Sequence, residues 1–380
     1  MAILGINGMG RIGKLTFWNQ LSIDTYDGYV INAGRKIGNS IEDFIEFIKT
    51  DSTYGNLNRF LYGYSGRVCN IQHIDPVNWS FEINGVKVKV LTSARNPKDI
   101  GWGVHGVKTV VDCTGVFLNP NTPVDAEKGS VRGHLAAGAE HVICSAPFKM
   151  EKGETTPEDA KMIVYGINHK DADLEKHRIL SAASCTTTGL SHMMKPLIDN
   201  EKVGKILSVC MSTIHAATNN QMVLDGVPGK GAKDLRRNRS VMNNIIITST
   251  GAAKALKVVL PELKDVPFMA DSIRVPTNTV SLISLTLMME KAVTAGELNE
   301  IYKEASQNGQ RALLHYSDKQ NVSCDFRGER ASVIIEGFET VAEVTEGKTP
   351  ITHAKIMGWY DNEFGNYVNS LSKLLAHVTQ

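Results

Sequence analysis

Cys185 is the residue of this chain best placed to act as a nucleophile. The surrounding residues 178–190 predict a strand, a turn of small residues and then a helix that begins at the cysteine. A helix dipole favours negative charge at its N-terminus, so we expect this position to lower the pKa of the thiol. The thiolate is the nucleophilic form of cysteine. The pattern therefore indicates covalent catalysis, with an inert thiol in a capped helix as the alternative.

His215 is the candidate partner of this thiol. It follows Ser212-Thr213-Ile214 at the predicted end of a strand, where catalytic side chains are usually exposed. An imidazole beside a thiol can accept its proton or form a thiolate–imidazolium pair. One histidine among eleven carries little weight alone. Cys185 and His215 together indicate a catalytic pair.

A glycine-rich turn near the start of the chain is typical of dinucleotide binding. Glycines in a G-x-G-x-x-G pattern separate a predicted strand over residues 2–7 from a predicted helix over residues 11–21. Gly8 allows a tight turn, a side chain at Gly10 would block a pyrophosphate, and Gly13 lets helix and strand pack closely. The helix N-terminus favours a bound anion. We predict cofactor contacts from Gly8, Gly10, Arg11, Ile12 and Gly13.

The second predicted strand lacks the acidic residue that usually selects NAD. A carboxylate about 20 residues after the last glycine normally binds the ribose 2′-hydroxyl. Here the strand ends in Asn32 and Ala33, and Arg35 and Lys36 follow. Cations attract a 2′-phosphate that a carboxylate would repel. We therefore predict that these four residues contact the cofactor and that it is NADP in preference to NAD. A solvated basic turn beside a relaxed NAD site is the alternative.

The elements that must position these residues differ between the two halves of the chain. Short apolar runs alternate with helical segments in the first half, including a predicted helix around residues 126–138, and this alternation favours a mostly parallel sheet. Long β-rich runs in the second half favour a larger, partly antiparallel sheet backed by helices. We predict an α/β protein, with a Rossmann dinucleotide-binding domain (residues 1–184 and 362–380) and an α+β catalytic domain with a large mixed or antiparallel sheet (residues 185–361).

Composition limits the function classes. The 380 residues are 42% hydrophobic and 21% charged, enough to bury the cores of about two domains. Lys and Arg number 41 against 40 Asp and Glu, so we expect no nucleic-acid partner. Without a long apolar run or a signal-peptide pattern, we expect no membrane partner and a cytoplasmic location. The six cysteines form no CxxC pair, so we expect no metal site.

Seven segments together resemble the phosphorylating glyceraldehyde-3-phosphate dehydrogenase family. They occur in the family's order across nearly the whole chain, and the set is specific where each segment alone is not. The segments are INGMGRIG (6–13), SAASCTTT (181–188), STIHAATNNQ (212–221), DLRRNR (234–239), TSTGAAKAL (248–256), IRVPTNTVS (273–281) and WYDNEFG (359–365).

The resemblance implies a specific chemistry. Cys185 would attack the aldehyde of a sugar phosphate, His215 would handle the hydroxyl proton, and hydride transfer would leave a thioester that inorganic phosphate cleaves. It also implies a homotetramer. The implied binding residues are Thr218 and Arg274 for the substrate phosphate; Ser184, Thr186, Thr250, Gly251 and either Arg237 or Arg239 for inorganic phosphate; Thr114, Gly115 and Ser145 for the cofactor; and Asn362 for its nicotinamide carboxamide.

Several positions depart from the family pattern. Ala33 and Asn220 stand where the family usually has Asp, and Ala182 and Thr188 stand where it usually has Asn. These changes bear on cofactor choice and substrate size and leave the thiol chemistry intact. Two other functions therefore stay open: an erythrose 4-phosphate dehydrogenase that finishes with water, and a non-catalytic nucleotide-binding paralogue.

Overall fold

The computed structural model of the protein describes residues 2–232, 234–308, 310, 312–347 and 350–379. The chain forms two compact units, Met1–Ala183 with Leu371–Gln380 and Ser184–Ser370. None of the helices in this described part combines the length and apolar character needed to cross a membrane. The helices are α1 (Arg11–Ile23), α2 (Ile41–Lys49), α3 (Leu57–Tyr62), α4 (Arg132–Ala136), α5 (Cys185–Ile198), α6 (Ala252–Val259), α7 (Ala295–Gln307) and α8 (Asn369–Thr379). The strands are β1 (Ile3–Asn7), β2 (Gly28–Asn32), β3 (Thr50–Asp51), β4 (Gly55–Asn56), β5 (Ile71–Asp75), β6 (Ser80–Ile83), β7 (Val86–Leu91), β8 (Thr109–Asp112), β9 (His141–Cys144), β10 (Ala160–Met162), β11 (Ile179–Ser181), β12 (Ile206–Ala216), β13 (Ile246–Ser249), β14 (Phe268–Val275), β15 (Ser281–Met289), β16 (Leu314–Ser317), β17 (Val333–Glu336), β18 (Val341–Val344) and β19 (Thr352–Tyr360).

The first unit is built on a nine-stranded sheet in the order β10-β11-β9-β8-β1-β2-β7-β6-β5. The strands from β10 to β7 pair in parallel, and β6 and β5 extend the sheet antiparallel. Fully buried apolar side chains such as Leu4, Ile6, Val110 and Val111 form its core. The strand order reverses between β1 and β8, and ligands of such sheets bind beyond the carboxyl ends of the strands at this point. The predicted parallel dinucleotide-binding sheet is confirmed.

The second unit is built on an eight-stranded mixed sheet. Its order is β13-β14-β12-β15-β19-β17-β16, and β18 pairs with β19. The central strand β12 runs parallel to β14 and antiparallel to β15. In the β12–β14 ladder, His215 lies directly opposite Arg274. The predicted mixed sheet is therefore confirmed, and its register brings a predicted catalytic residue beside a predicted phosphate ligand.

The helix predicted around residues 126–138 is wrong in extent. Only the five residues of α4 are α-helical, and turns precede them. Gly129 has a φ of +84°, which no right-handed helix can accommodate. At Gly133, a Cβ would lie 2.7 Å from the backbone nitrogen of Lys98. Close packing against residues distant in sequence therefore determines the local conformation, in place of the helix that the sequence pattern predicts.

His192 in α5 makes the second unit sensitive to acid. The imidazole is fully buried, and its Nδ1 donates a hydrogen bond to the Thr188 carbonyl at 2.9 Å. Its Nε2 has no hydrogen-bond partner among the described residues. Burial lowers the pKa of His192 to about 4, and the Thr188 hydrogen bond only partly opposes this shift. The folded protein therefore keeps this side chain neutral where an unfolded chain would protonate it.

We expect His192→Asn to reduce the loss of stability in acid. In the unfolded chain His192 has a pKa of about 6.5 and becomes protonated below that pH, whereas in the folded protein it stays neutral down to about pH 4. The free energy of unfolding therefore falls as the pH drops from about 6.5 towards 4, by up to about 3 kcal/mol. Asparagine retains a donor for the Thr188 carbonyl and does not titrate. Urea midpoints between pH 7 and 4.5 should fall less steeply in the variant, even if it is less stable at pH 7. Parallel pH dependences would contradict this prediction.

Candidate active site

Cys185 is the first residue of α5. Ser184 caps the helix, and its hydroxyl accepts a hydrogen bond from the Thr187 backbone nitrogen at 3.1 Å. Ala183, just before the cap, has a φ of +54°, in the left-handed region that non-glycine residues rarely adopt. Strained backbone of this kind concentrates at functional sites. A sharp turn and a polar cap thus fix the cysteine at the helix N-terminus.

Cys185 and His215 lie side by side. The cysteine Sγ is 3.4 Å from the His215 Nε2, which is direct hydrogen-bond contact for sulfur. His215 is the penultimate residue of β12 and is only 3% exposed. These two residues are 30 positions apart in sequence, yet they lie at the distance expected of a nucleophile and its base.

Burial keeps both members of this pair neutral. It raises the pKa of the Cys185 thiol, and the opposing effect of the Arg274 charge is smaller. Our expectation that the helix N-terminus lowers this pKa is therefore wrong for the free protein, because desolvation of the thiolate outweighs the favourable charges. Burial, followed by the Arg274 charge, lowers the pKa of His215 to about 3. A thiol that needs a base thus faces an imidazole that is unprotonated and able to accept its proton.

Arg274 contacts the far side of the imidazole. Its Nη1 lies 2.6 Å from the His215 Nδ1 and 3.1 Å from the Ala216 carbonyl oxygen. The same Nδ1 is 2.8 Å from that carbonyl. The guanidinium favours a lone pair on Nδ1, whereas the carbonyl favours a proton there. A proton on Nδ1 leaves Nε2 free to act as a base, so Arg274 and Ala216 compete to set the tautomer.

Tyr360 adjoins the predicted catalytic pair, and no sequence pattern singled it out. Its hydroxyl is 3.1 Å from the Thr186 hydroxyl and 2.6 Å from the Thr213 hydroxyl. Its ring is edge-on to the His215 ring at 6.0 Å. Burial, followed by repulsion from a Cys185 thiolate, raises the pKa of Tyr360, so the phenol stays protonated and can donate a hydrogen bond. Only its place within residues 359–365 could have indicated this role.

The predicted phosphate ligands fall into distinct settings. Gly251 caps α6, and the Thr250 hydroxyl accepts a hydrogen bond from the Ala252 nitrogen at 3.2 Å. The Thr218 hydroxyl bonds the Gln221 side chain at 3.1 Å. Of the two candidate arginines, Arg239 forms an ion pair with Asp225 at 2.9 Å. Arg237 instead acts on Arg274, whose pKa is lowered by burial and further by the Arg237 charge.

Asn362 and Ser281 form a further buried pair in the same unit. The Asn362 amide oxygen accepts a hydrogen bond from the Ser281 hydroxyl at 3.0 Å. Ser281 in turn accepts one from the Ala216 nitrogen at 3.0 Å. This chain connects the predicted nicotinamide ligand to the residue that follows His215.

The glycine turn of the first unit fits a dinucleotide phosphate. Gly8 has a φ of +94°, and a Cβ at Gly13 would lie 2.0 Å from the Gly8 carbonyl oxygen, so neither position tolerates a side chain. A Cβ at Gly10 would meet nothing within 4 Å and would project into open space at the start of α1. Among the residues that the structure describes, no side chain caps this helix end, and a helix N-terminus favours an anion.

A cavity of about 720 Å³ adjoins this turn. Its lining includes the predicted cofactor residues Gly8, Asn32, Ala33, Arg35 and Thr114. Lys36 is not part of the lining. Arg95 does line the cavity, although no motif in the sequence marks this residue. The remaining lining residues are Asn7, Gly34, Asn96, Val116, Phe117, Glu127 and Lys128.

Buried polar contacts hold the edge of this cavity. Asp112 accepts hydrogen bonds from the Asn7 amide at 2.8 Å and from the Thr114 nitrogen and hydroxyl at 2.9 and 2.6 Å. Although burial opposes it, hydrogen bonding from His134 and the other donors lowers the pKa of Asp112. Asn32 donates to the Asn7 amide oxygen at 2.8 Å. The carboxyl ends of β1, β2 and β8 are thereby tied together.

Eight predicted cofactor residues lie outside the lining of the large cavity, namely Gly10, Arg11, Ile12, Gly13, Lys36, Gly115, Ser145 and Asn362. Arg11 forms an ion pair with Asp51 at 3.0 Å, and Ile12 follows it in α1. Gly115 lines a separate cavity of about 210 Å³, and the Ser145 nitrogen donates to the Asp112 carbonyl at 2.9 Å. Within the described ranges, no group of three or more His, Cys, Asp or Glu side chains could hold a metal ion.

Comparisons with known proteins agree with this geometry. The family described as glyceraldehyde 3-phosphate dehydrogenase, NAD binding domain, matches residues 2–120, and the corresponding C-terminal domain matches residues 184–362. Glyceraldehyde-3-phosphate dehydrogenase 1 of Bacillus cereus is 36% identical over 379 residues, covering 100% of this chain and 99% of that protein. The Streptomyces coelicolor enzyme is 37% identical, covering 99% and 98%. The cytosolic enzyme of Chlamydomonas reinhardtii is 35% identical, covering 99% and 96%. The resemblance found in the sequence is confirmed, and the chain belongs to the glyceraldehyde-3-phosphate dehydrogenase family.

Proposed function

We propose that this protein is a phosphorylating glyceraldehyde-3-phosphate dehydrogenase. It converts glyceraldehyde 3-phosphate, inorganic phosphate and NAD(P) to 1,3-bisphosphoglycerate and NAD(P)H. The observation that carries the proposal is the 3.4 Å contact between Cys185 and His215, with Arg274 on the far side of the imidazole. An inert paralogue would have no need of a half-buried thiol beside an unprotonated base.

The chemistry proceeds through a covalent bond to Cys185. His215 accepts the thiol proton as the sulfur attacks the aldehyde carbon, and returns it to the oxygen to form a thiohemiacetal. When bound, a nicotinamide dinucleotide supplies the hydride acceptor for the oxidation. His215 removes the hydroxyl proton as the thiohemiacetal becomes a thioester. A phosphate oxygen then attacks the thioester carbonyl, the Cys185 sulfur leaves, and His215 returns its proton to the sulfur.

Arg274 connects substrate binding to base strength. In the free protein the guanidinium lies against the His215 Nδ1, where it disfavours the tautomer with a proton on that atom. When the phosphate group of the aldehyde substrate binds, with the help of Thr218, it attracts the Arg274 guanidinium away from the His215 Nδ1. The Nδ1 proton then bonds the Ala216 carbonyl, already 2.8 Å away, and the Nε2 lone pair faces the sulfur. Substrate binding thus favours the base-competent imidazole.

Arg237 is the better of the two candidates for binding inorganic phosphate. Arg239 is already neutralised by Asp225, whereas Arg237 contributes positive charge near Arg274. Positive charge of this kind helps to bring a phosphate dianion close to the thioester. Ser184, Thr186, Thr250 and Gly251 supply hydroxyl and backbone donors at the two helix N-termini.

NADP is the preferred cofactor in this proposal. The cavity beside the glycine turn has Ala33 in place of a carboxylate and is lined by two arginines, Arg35 and Arg95. The Arg95 Nε donates to the Gly34 carbonyl at 3.2 Å, which holds this side chain over the turn after β2. Two guanidinium groups suit a 2′-phosphate dianion. Arg95 therefore replaces Lys36 in our assignment.

We expect Ala33→Asp to shift preference from NADP towards NAD. The new carboxylate would bond the ribose 2′-hydroxyl and repel a 2′-phosphate, changing the ratio of the two kcat/KM values by about 1–3 kcal/mol, or roughly 5- to 150-fold. Initial rates with each cofactor measure this ratio. The uncharged control Ala33→Asn should change it little. The assignment of this cavity to the ribose would be contradicted by equal ratios in wild type and the aspartate variant.

An initial-rate matrix tests the proposed function. Glyceraldehyde 3-phosphate and erythrose 4-phosphate would each be combined with NAD and NADP, with and without inorganic phosphate. The proposal expects the fastest rate with glyceraldehyde 3-phosphate, NADP and phosphate, and a large loss without phosphate. Turnover independent of phosphate would favour a hydrolytic enzyme, and the absence of turnover in every combination would favour a non-catalytic paralogue.

The predicted homotetramer and cytoplasmic location stay predictions. Exposed apolar residues crowd the chain between positions 222 and 247, and apolar patches of this kind favour contact with another protein surface. All six cysteines are unpaired, which suits a reducing compartment. The exposed apolar residues are Met222, Val223, Leu224, Val227, Leu235, Met242, Ile245 and Ile247.

A further inference from the structure

Hydrogen bonds link the Ser281 hydroxyl to the Ala216 backbone and to the Asn362 side chain. The Ala216 backbone nitrogen can only donate, so Ser281 is the acceptor in that 3.0 Å contact. The amide oxygen of Asn362, also at 3.0 Å, can only accept. The Tyr360 phenol, which bonds the hydroxyls of Thr186 and Thr213, is a further hydrogen-bond neighbour of Ser281. Because the amide oxygen of Asn362 faces the serine, the Ser281 hydroxyl donates to that oxygen.

The backbone around Ser281 is fixed by strain and by a second bond. Val280, which is buried and β-branched, has a φ of +66°, a conformation that such residues avoid unless surrounding contacts impose it. The Thr279 hydroxyl donates to the Asp361 carboxylate at 2.9 Å. Residues 279 and 281 thus hold the successive residues 361 and 362. This segment acts as a rigid template for the turn that follows β19.

The template leaves one end of the Asn362 amide unused. Its oxygen is bonded to Ser281, and its nitrogen has no hydrogen-bond partner among the residues that the structure describes. The side chain as a whole is only 4% exposed, but its NH₂ group is not sealed from solvent. A bound ligand can therefore supply the acceptor for this donor. The carbonyl oxygen of a nicotinamide carboxamide is such an acceptor.

We propose that Ser281 is a positioning residue that locks the Asn362 amide with its NH₂ group facing the nicotinamide carboxamide. This rests on the proposed function, in which Asn362 binds that group. Without the serine hydroxyl, the amide can rotate by half a turn and present its oxygen instead. Ser281 also joins this amide to the Ala216 backbone, next to His215. One hydroxyl thereby aligns the hydride acceptor and the catalytic base.

Ser281→Ala tests the proposal through two ligands. The first ligand is NADP, which carries the nicotinamide. The second is 2′-phospho-ADP-ribose, which is NADP without the nicotinamide. Titrations should show the dinucleotide Kd rising by about 3- to 10-fold, the scale of one hydrogen bond, while the Kd of the fragment changes by less than about twofold. Ser281→Thr, which retains the hydroxyl, should restore dinucleotide binding. Equal losses for both ligands would overturn the positioning role.

A double-mutant cycle separates positioning from a general structural effect. In an Asn362→Ala background the amide is absent, so adding Ser281→Ala should cause no further loss of dinucleotide affinity. A full additional loss would overturn the proposal. Ser284→Ala, in the same strand, is the matched control and should bind both ligands as wild type does.

The same titrations distinguish failure of the proposed function from failure of the positioning role of Ser281. If the wild type binds neither the dinucleotide nor the fragment, the proposed function fails and the inference fails with it. If the wild type binds both and Ser281→Ala is unchanged, only the positioning role fails. Thermal unfolding of each variant, compared with wild type, ensures that affinities are taken from folded protein.

Discussion

Cys185→Ser is expected to abolish aldehyde oxidation, lowering kcat by on the order of 10⁴-fold, the scale for removal of a covalent nucleophile. A serine hydroxyl at this helix N-terminus would be far harder to ionise than a thiol, and His215 would meet a poor nucleophile. Cofactor affinity should change by less than about twofold, because Cys185 is not among the predicted cofactor-binding residues at the glycine turn, its cavity and Asn362. Initial rates and cofactor titration measure the two effects.

The matched control for this prediction is Cys210→Ser. Cys210 is an exposed free cysteine in β12 and contacts neither His215 nor Arg274 through any hydrogen bond that the described residues form. Iodoacetate should label Cys185 in wild type and in the control, and its peptide should be unlabelled in Cys185→Ser. Retained oxidation in the Cys185 variant would remove this residue as the nucleophile.

His215→Asn is expected to lower kcat by about 10²- to 10⁴-fold, the usual contribution of a general base. Desolvation raises the pKa of the half-buried Cys185 thiol, which stays protonated at neutral pH, so without the imidazole its proton must be lost to solvent. The rate of the variant should therefore rise about tenfold per pH unit towards that raised pKa. The wild type should show no such rise near neutrality, because its imidazole pKa of about 3 leaves the base unprotonated throughout.

His353→Asn is the corresponding control. This histidine is exposed on β19 of the same sheet, and its replacement should change neither kcat nor the pH profile. A His215 variant with a flat profile like that of wild type would mean that the thiol proton is transferred to another group.

Local patterns in the sequence predicted the elements that carry the chemistry. The cysteine turn and the glycine turn are encoded within a few residues, so α5 begins at Cys185 and α1 follows Gly10 as expected. The prediction of a helix around residues 126–138 failed because the local structure depends on the packing of Pro97 and Lys98 against Gly133, and these residues lie far away in the sequence. Contacts between segments distant in sequence leave no trace in a short pattern.

Some residues of the candidate site could be predicted from the sequence, and others could not. Residue types and family order led to Cys185, His215 and Arg274, which the sheet register brings together. Arg95 and the Ser281 bond to Asn362 depend on three-dimensional proximity that no spacing reveals. The direction of the Cys185 pKa shift was also out of reach, because a helix dipole can be inferred from sequence while the extent of burial cannot.

Trapping the acylated enzyme tests the central claim most directly. A single turnover with glyceraldehyde 3-phosphate and cofactor, in the absence of inorganic phosphate, would be quenched in acid and digested for mass spectrometry. We predict one reduced cofactor per active site and an acyl group on the peptide that contains Cys185, and the acyl group should disappear when phosphate is added before the quench. Cofactor reduction with no acyl group on that peptide, or with the group on another residue, would contradict the account.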